Sequence, residues 1–372
     1  MKIANGFVFL DGKLRAGVEL LLQNGVIAEA GPSLPPDETF DATGLIIAPG
    51  FVDIHIHGFA GRDMMEGADA VRTMSRELVR HGTTSFLPTT MTAPLDDTRR
   101  AVNGVSEAML LPAEGAAPLG CHMEGPFFSP KRKGAQAEAH LALPSVEVFD
   151  GLSDECVRRV SLAPELDGAH ELIRELVGRG VQASLAHTDA TFDQVMEAVA
   201  VGASSVTHLF NAMTPLSHRE PGTVGAALSC PQITTEFIAD LVHLHPAALR
   251  IMFACKRPSR CVAVTDCMMA GGMPDGAYSL GGQDVRVAGG AVRLPDGTLA
   301  GSILTLRQSL KNMVTVVGVS LEDALPMYTS TPARLIGESG RGSLAAGSVA
   351  DIVAFDAGFN IRAVWAGGRR FV

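Results

Sequence analysis

Eight short apolar runs recur through the middle of this 372-residue chain, with stretches of helical periodicity between them. They are FVDIHIHG (51–58), TTSFLPTT (83–90), LGCHMEGP (119–126), RVSLAP (159–164), QASLAHT (182–188), SSVTHLF (204–210), TTEFIAD (234–240) and RCVAVTD (260–266). The intervening segments GADAVRTMSRELVRHG, AHELIRELVGRG and TFDQVMEAVAVG place apolar residues at helical spacing, the last behind a Thr-x-x-Gln capping box. Strands alternating with helices at intervals of ~22 to 40 residues have the period of an α/β fold of the (β/α)8 TIM-type barrel. A doubly wound open sheet competes, but its usual Gly-rich phosphate turn after the first strand is absent.

The chain ends read differently. Residues 1–50 hold short strands broken by the turn pairs Asn5-Gly6, Asp11-Gly12 and Asn24-Gly25, which is hairpin chemistry. Residues 336–372 have a similar texture, and neither end is long enough for a core of its own. The expectation is one small β-sandwich domain built from 1–50 and 336–372, beside a barrel over 51–335. A β-hairpin insertion is expected near 277–300.

In such a barrel, side chains at the C-terminal strand ends line the active site. Asp53, His55 and His57 alternate along the first strand and therefore share a face. The third run ends in His122 and Glu124, the fifth in His187, the sixth in His208 and the eighth in Asp266. One strand histidine is ordinarily a packed core residue. Five strands carrying imidazole or carboxylate at one mouth exceed what packing explains, since each buried polar group needs its own partner. The set predicts a site for one or two divalent metal ions, and zinc, iron, manganese and cobalt all suit these donors, so ligand type alone does not choose among them. His55 and His57 would hold one ion, His187 and His208 the other, with Glu124 between them. Asp53 and His122 would steady these ligands from behind.

These residues also carry a resemblance. The HxH of the first strand, the single histidines of the fifth and sixth and the aspartate of the eighth resemble the amidohydrolase superfamily. Within it, HMEGPF (122–127), SLAHTDA (184–190), THLFNAM (207–213), HREPG (218–222) and VTDCMMAGG (264–272) are similar to N-acetylglucosamine-6-phosphate deacetylases. The resemblance implies hydrolysis of the N-acetyl amide of an amino sugar 6-phosphate, with Asp266 both ligand and proton carrier. It implies phosphate contacts by Arg219, His243, Asn211 and the Ala212 backbone, and a homodimer whose interface lies near that phosphate. No Lys stands at the fourth strand mouth, where many relatives bridge two metals with a carbamylated Lys, so Glu124 takes that place.

Two positions depart from the pattern. Gln136 occupies the KGxH position whose His contacts sugar or acyl group, and Leu241 replaces a usual Gly before Val242-His243. Both leave the metal chemistry intact and open the sugar identity to N-acetylgalactosamine 6-phosphate. A different amidohydrolase, such as a D-amino acid N-deacylase, is the alternative. The Lys131-Arg132-Lys133 run has the look of a solvated loop that could also assist an anionic substrate.

Composition removes other classes. With 40 acidic against 30 basic residues, the net charge of −10 excludes a nucleic-acid binder driven by phosphate neutralisation. No run approaches the ~20 apolar residues of a membrane span. The N-terminus lacks an export signal, and six Cys without regular spacing suit a reducing compartment, so the expected location is cytoplasmic. One Trp and two Tyr are too few for a carbohydrate-binding module's aromatic platforms.

Overall fold

A computed structural model describes residues 1–372. Each of the eight apolar runs contains a strand: β1 (Phe51–Ile56), β2 (Thr83–Pro88), β3 (Cys121–Glu124), β4 (Val157–Leu162), β5 (Gln182–Leu185), β6 (Ser205–Val206), β7 (Thr234–Phe237) and β8 (Cys261–Ala263). Strands β3 to β8 form one parallel sheet in chain order. A second parallel sheet joins β1 to β2, and β2 to Ala117–Pro118, the lead-in of β3. Backbone hydrogen bonds run between the two arcs at both edges. Thr90 N donates to His122 O at 3.0 Å on one side, and Asp266 N donates to His55 O at 2.9 Å on the other.

Parallel strands covered on both faces read as continuous apolar runs, and β1 and β2 are buried at every position. The helix Ala68–Leu78 buries Ala70, Val71, Met74 and Leu78, and Ala169–Gly178 buries Leu172, Ile173 and Leu176. That is the spacing of one helical face. These faces pack with the outward strand residues into the largest apolar cluster of the molecule. The capping box read at Thr191 and Gln194 opens the helix Phe192–Ala200.

Both chain ends contribute to one six-stranded sheet, in which Ile46–Pro49 lies between Phe7–Leu10 and Ile352–Phe355. A four-stranded sheet of residues 2–41 packs on it around Ile3, Leu20, Ile47, Ile352 and Trp365. Asp11-Gly12 and Asn24-Gly25 turn with positive φ at all four residues and close hairpins. Asn5-Gly6 does not. It carries the chain from one sheet to the other, and a side chain at Gly6 would meet Ile47 at 2.9 Å. The insertion holds three antiparallel strands rather than a simple hairpin: Gly276–Leu280, Gln283–Ala288 and Ala291–Arg293. Its second turn is Gly289-Gly290, again at positive φ.

Candidate metal centre and substrate cavity

His55 lies on β1 and His57 just past its end, with 0% and 2% of their surfaces exposed. Glu124 ends β3, while His187, His208 and Asp266 stand just beyond β5, β6 and β8. Those last three have φ of 45°, 33° and 49°. The left-handed region is unfavourable for non-glycine residues, and its repetition at three equivalent strand ends marks a site whose geometry outweighs backbone comfort.

The side chains converge as two trios, His55–His57–Asp266 and Glu124–His187–His208, the ligand atoms of each lying within 4.8 Å of one another. His55 Nε2 is 3.2 Å from His57 Nε2, and His187 Nε2 is 3.1 Å from His208 Nε2. Asp266 Oδ1 is 3.1 Å from His57 Nε2, and Glu124 Oε1 is 3.1 Å from His208 Nε2 and 3.4 Å from His55 Nε2.

The opposite ring nitrogens decide what these atoms can be. His57 Nδ1 faces Thr89 O at 2.9 Å, and His187 Nδ1 faces Arg132 O at 3.0 Å. A carbonyl only accepts, so Nδ1 carries the proton and Nε2 presents a lone pair. His55 Nδ1 likewise faces a carboxylate, Glu236 Oε2, at 3.4 Å. Lone pairs therefore point at lone pairs, with two carboxylates beside them, and a cation resolves that repulsion. Without a cation, protons take its place: against the cost of burial, Glu124, Glu236 and Asp266 hold the pKa of His55 well above the ordinary value. Burial also works against charge on Asp266, but the His57 hydrogen bond and the charge of His55 bring it down to about 2. The donor set fits a divalent metal.

Glu236 and Arg159 escaped the sequence reading. Both are fully buried, on β7 and β4, and they pair across the interior directly beneath the metal ligands. Arg159 also donates to Ser184, Ser205 and Thr207, so Glu236 is held on two sides while it backs His55. The only sequence signal was a charge inside an apolar strand. Asp53 accepts from Thr265 Oγ1 at 2.6 Å and from His55 N at 3.3 Å, and burial pushes its pKa up to about 7. His122 bonds Ser161 Oγ at 2.7 Å and sets its ring edge against His55.

Beside the trios opens a cavity of about 330 Å³, lined by His57, Glu124, His187, His208 and Asp266 and also by Asn211, Ala212 and His243. The amidohydrolase family model matches residues 46–371. The chain belongs to the amidohydrolase family. It is 38% identical to the N-acetylgalactosamine-6-phosphate deacetylase of Escherichia coli O157:H7 over 94% of either chain. It is 41% identical to the N-acetylglucosamine-6-phosphate deacetylase of Vibrio furnissii, over 87% of this chain and 82% of that relative. A variant of the Mycobacterium smegmatis N-acetyl-D-glucosamine-6-phosphate deacetylase, solved in complex with N-acetyl-D-glucosamine-6-phosphate, superposes with a TM-score of 0.92. It is 33% identical, covering 100% of this chain and 98% of that one.

In this amidohydrolase the residues expected at the phosphate divide. Asn211, Ala212 and His243 line the cavity. Asn211 Nδ2 donates to His208 O at 3.1 Å and so also braces a metal ligand. His243 bonds Asp240 at 2.7 Å, and against the effect of burial that contact raises its pKa. Leu241 adopts φ of 66°, the conformation that explains a usual glycine there. Arg219 is exposed, outside the cavity of its own chain. Its neighbour Glu220 accepts from Phe192 N and Gly222 N. Lys131 and Arg132 stand on the cavity rim, both paired with Asp189 at 3.0 Å. Gln136 is on the wall, but both ends of its amide are engaged by protein: Thr92 N and Glu124. No helix is long and apolar enough to cross a membrane.

Proposed function

We propose that this amidohydrolase removes the acetyl group from an N-acetylhexosamine 6-phosphate, N-acetylglucosamine 6-phosphate before its galactose epimer, releasing acetate and the amino sugar phosphate. The observation that carries it is a single cavity lined by members of both ligand trios together with His243 and Asn211. His55, His57 and Asp266 hold one ion, and Glu124, His187 and His208 a second, zinc before iron, manganese or cobalt. A divalent ion there supplies Lewis acidity towards the amide carbonyl and towards water. Asp266, ionised at neutral pH, takes the proton of the attacking water and returns it to the amine as the C–N bond breaks.

His243, held charged by Asp240, and the Asn211–Ala212 turn receive the phosphate. Arg219 is suited to forked phosphate contacts, and its place outside its own cavity favours reach into a second copy, hence a homodimer. In the same reading the two parallel arcs close into one (β/α)8 barrel over 51–335, residues 1–50 and 336–372 form a small β-sandwich domain, and the enzyme works in the cytoplasm. Acetate release is the test. Metal-loaded protein should cleave the two N-acetylhexosamine 6-phosphates at least ~10-fold better, in kcat/KM, than their free sugars or N-acetyl-D-amino acids. Equal rates on the unphosphorylated sugars would overturn the substrate assignment.

A further inference from the structure

Gln136 is 3% exposed although it sits on the cavity wall. Its Oε1 accepts from Thr92 N at 2.8 Å, and its Nε2 donates to Glu124 Oε2 at 2.7 Å. This orientation is forced: a backbone N–H only donates and a carboxylate only accepts, so the amide cannot be turned over. The two oxygens of Glu124 are thereby made unequal. Oε1 faces the Nε2 atoms of His208 at 3.1 Å, His55 at 3.4 Å and His187 at 3.5 Å. Oε2 is taken by the Gln136 amide, and the nearest imidazole on that side, His57, stands 3.5 Å away. Thr92 N belongs to the loop after β2, so Glu124 is anchored from a second strand end as well as its own.

We propose that Gln136 is a positioning residue for Glu124 rather than a substrate contact. By holding Oε2 it fixes the carboxylate plane with Oε1 towards His208, His55 and His187. This rests on the metal reading above, and the experiment separates the two.

Zn²⁺ is titrated into metal-free protein in competition with a chromophoric chelator, for wild type and for Gln136→Met, which keeps the length and loses both hydrogen bonds. Gln136→Met should weaken Zn²⁺ binding at the Glu124–His187–His208 trio by about 10- to 100-fold, the scale for removing an outer partner of a metal ligand. The melting temperature of the metal-free variant reports whether it folds, and Gln136→Asn, with the amide a methylene shorter, gives the same loss if Gln136→Met does not fold. Unchanged Zn²⁺ affinity with a raised KM for N-acetylglucosamine 6-phosphate would make Gln136 a substrate contact and overturn the proposal alone. Wild type that binds no Zn²⁺, Fe²⁺, Mn²⁺ or Co²⁺ would bring down the metal reading and the proposal together.

Discussion

The residues of the two ligand trios and those proposed for the phosphate are held in different ways. At the proposed metal end every ligand stands on a parallel strand or just past its end, its exposure is 8% or less, and its direction follows from strand pairing. The residues proposed for the phosphate end, Asn211, Ala212, Arg219 and His243, stand on loops, Ala212 and Leu241 need positive φ, and Arg219 is exposed. Strands fix positions through registers shared with their neighbours, whereas loops are free to diverge. One end therefore suits a chemistry common to many amidohydrolases, and the other suits the choice of substrate.

The sharpest break of that contrast is at the metal end. Asp266→Asn should leave the Glu124–His187–His208 trio in place and lower kcat by about 10²- to 10⁴-fold, the range for a lost general acid–base group. Metal content and kcat measured on the same preparation check it. Turnover within a few-fold of wild type would move the proton to another residue.

Arg219→Ala tests the other end. Losing a charge-assisted contact of ~1.5 to 3 kcal/mol corresponds to about 10- to 150-fold in kcat/KM for the 6-phosphate, with little change on the free sugar. Mixed dimers of Arg219→Ala and His208→Ala subunits should recover activity, because the intact Arg219 then faces an intact metal centre. If the mixture stays as inactive as its parents, Arg219 serves its own cavity or none.

Glu236→Gln asks how deep the metal end extends. It leaves Arg159 without its carboxylate partner and leaves Arg159 and His55 one neutral acceptor oxygen between them, so metal affinity at the His55 trio should fall about 10- to 100-fold. Breaking a buried ion pair costs ~3 to 5 kcal/mol, so the melting temperature should drop as well. An unchanged metal affinity would reduce Glu236 to a purely structural partner of Arg159.

The same contrast governs what could be read from the sequence. The eight strands and the six residues of the two trios were legible because a period of two and a common strand end are both one-dimensional patterns. Glu236 was not, because its meaning depends on Arg159, on a strand that is not its neighbour in the sheet. Gln136 was placed against the substrate by resemblance, while its amide partners depend on how two loops fold together. Asn5-Gly6 looked like its two sister turns, and only the sheet order shows that it changes sheets instead. The position of Arg219 lay beyond reach for a similar reason, since a loop's direction is not written in its motif.

The smallest expected effect concerns pH at the phosphate end. His243 is largely buried, which alone would lower its pKa, but the 2.7 Å bond to Asp240 and that carboxylate's charge raise it above the ordinary value. A raised histidine pKa means that the cation persists to higher pH. Its contribution to folding is complete below the unfolded value near ~6.5 and fades as pH climbs through the folded one. Phosphate binding should follow the same sign. A hydrogen bond from charged rather than neutral imidazole is worth ~1 kcal/mol more, so KM for the 6-phosphate should rise about fivefold as pH passes the His243 pKa. The measurement belongs above pH 7, since the phosphate's own second ionisation near pH ~6 dominates below that. Asp240→Asn removes the charge that supports the cation and leaves the burial that opposes it. The rise in KM should then begin at lower pH, while kcat, set by Asp266 and the metal end, keeps its profile. A kcat profile that moves with KM would show that the two ends of the cavity are not independent.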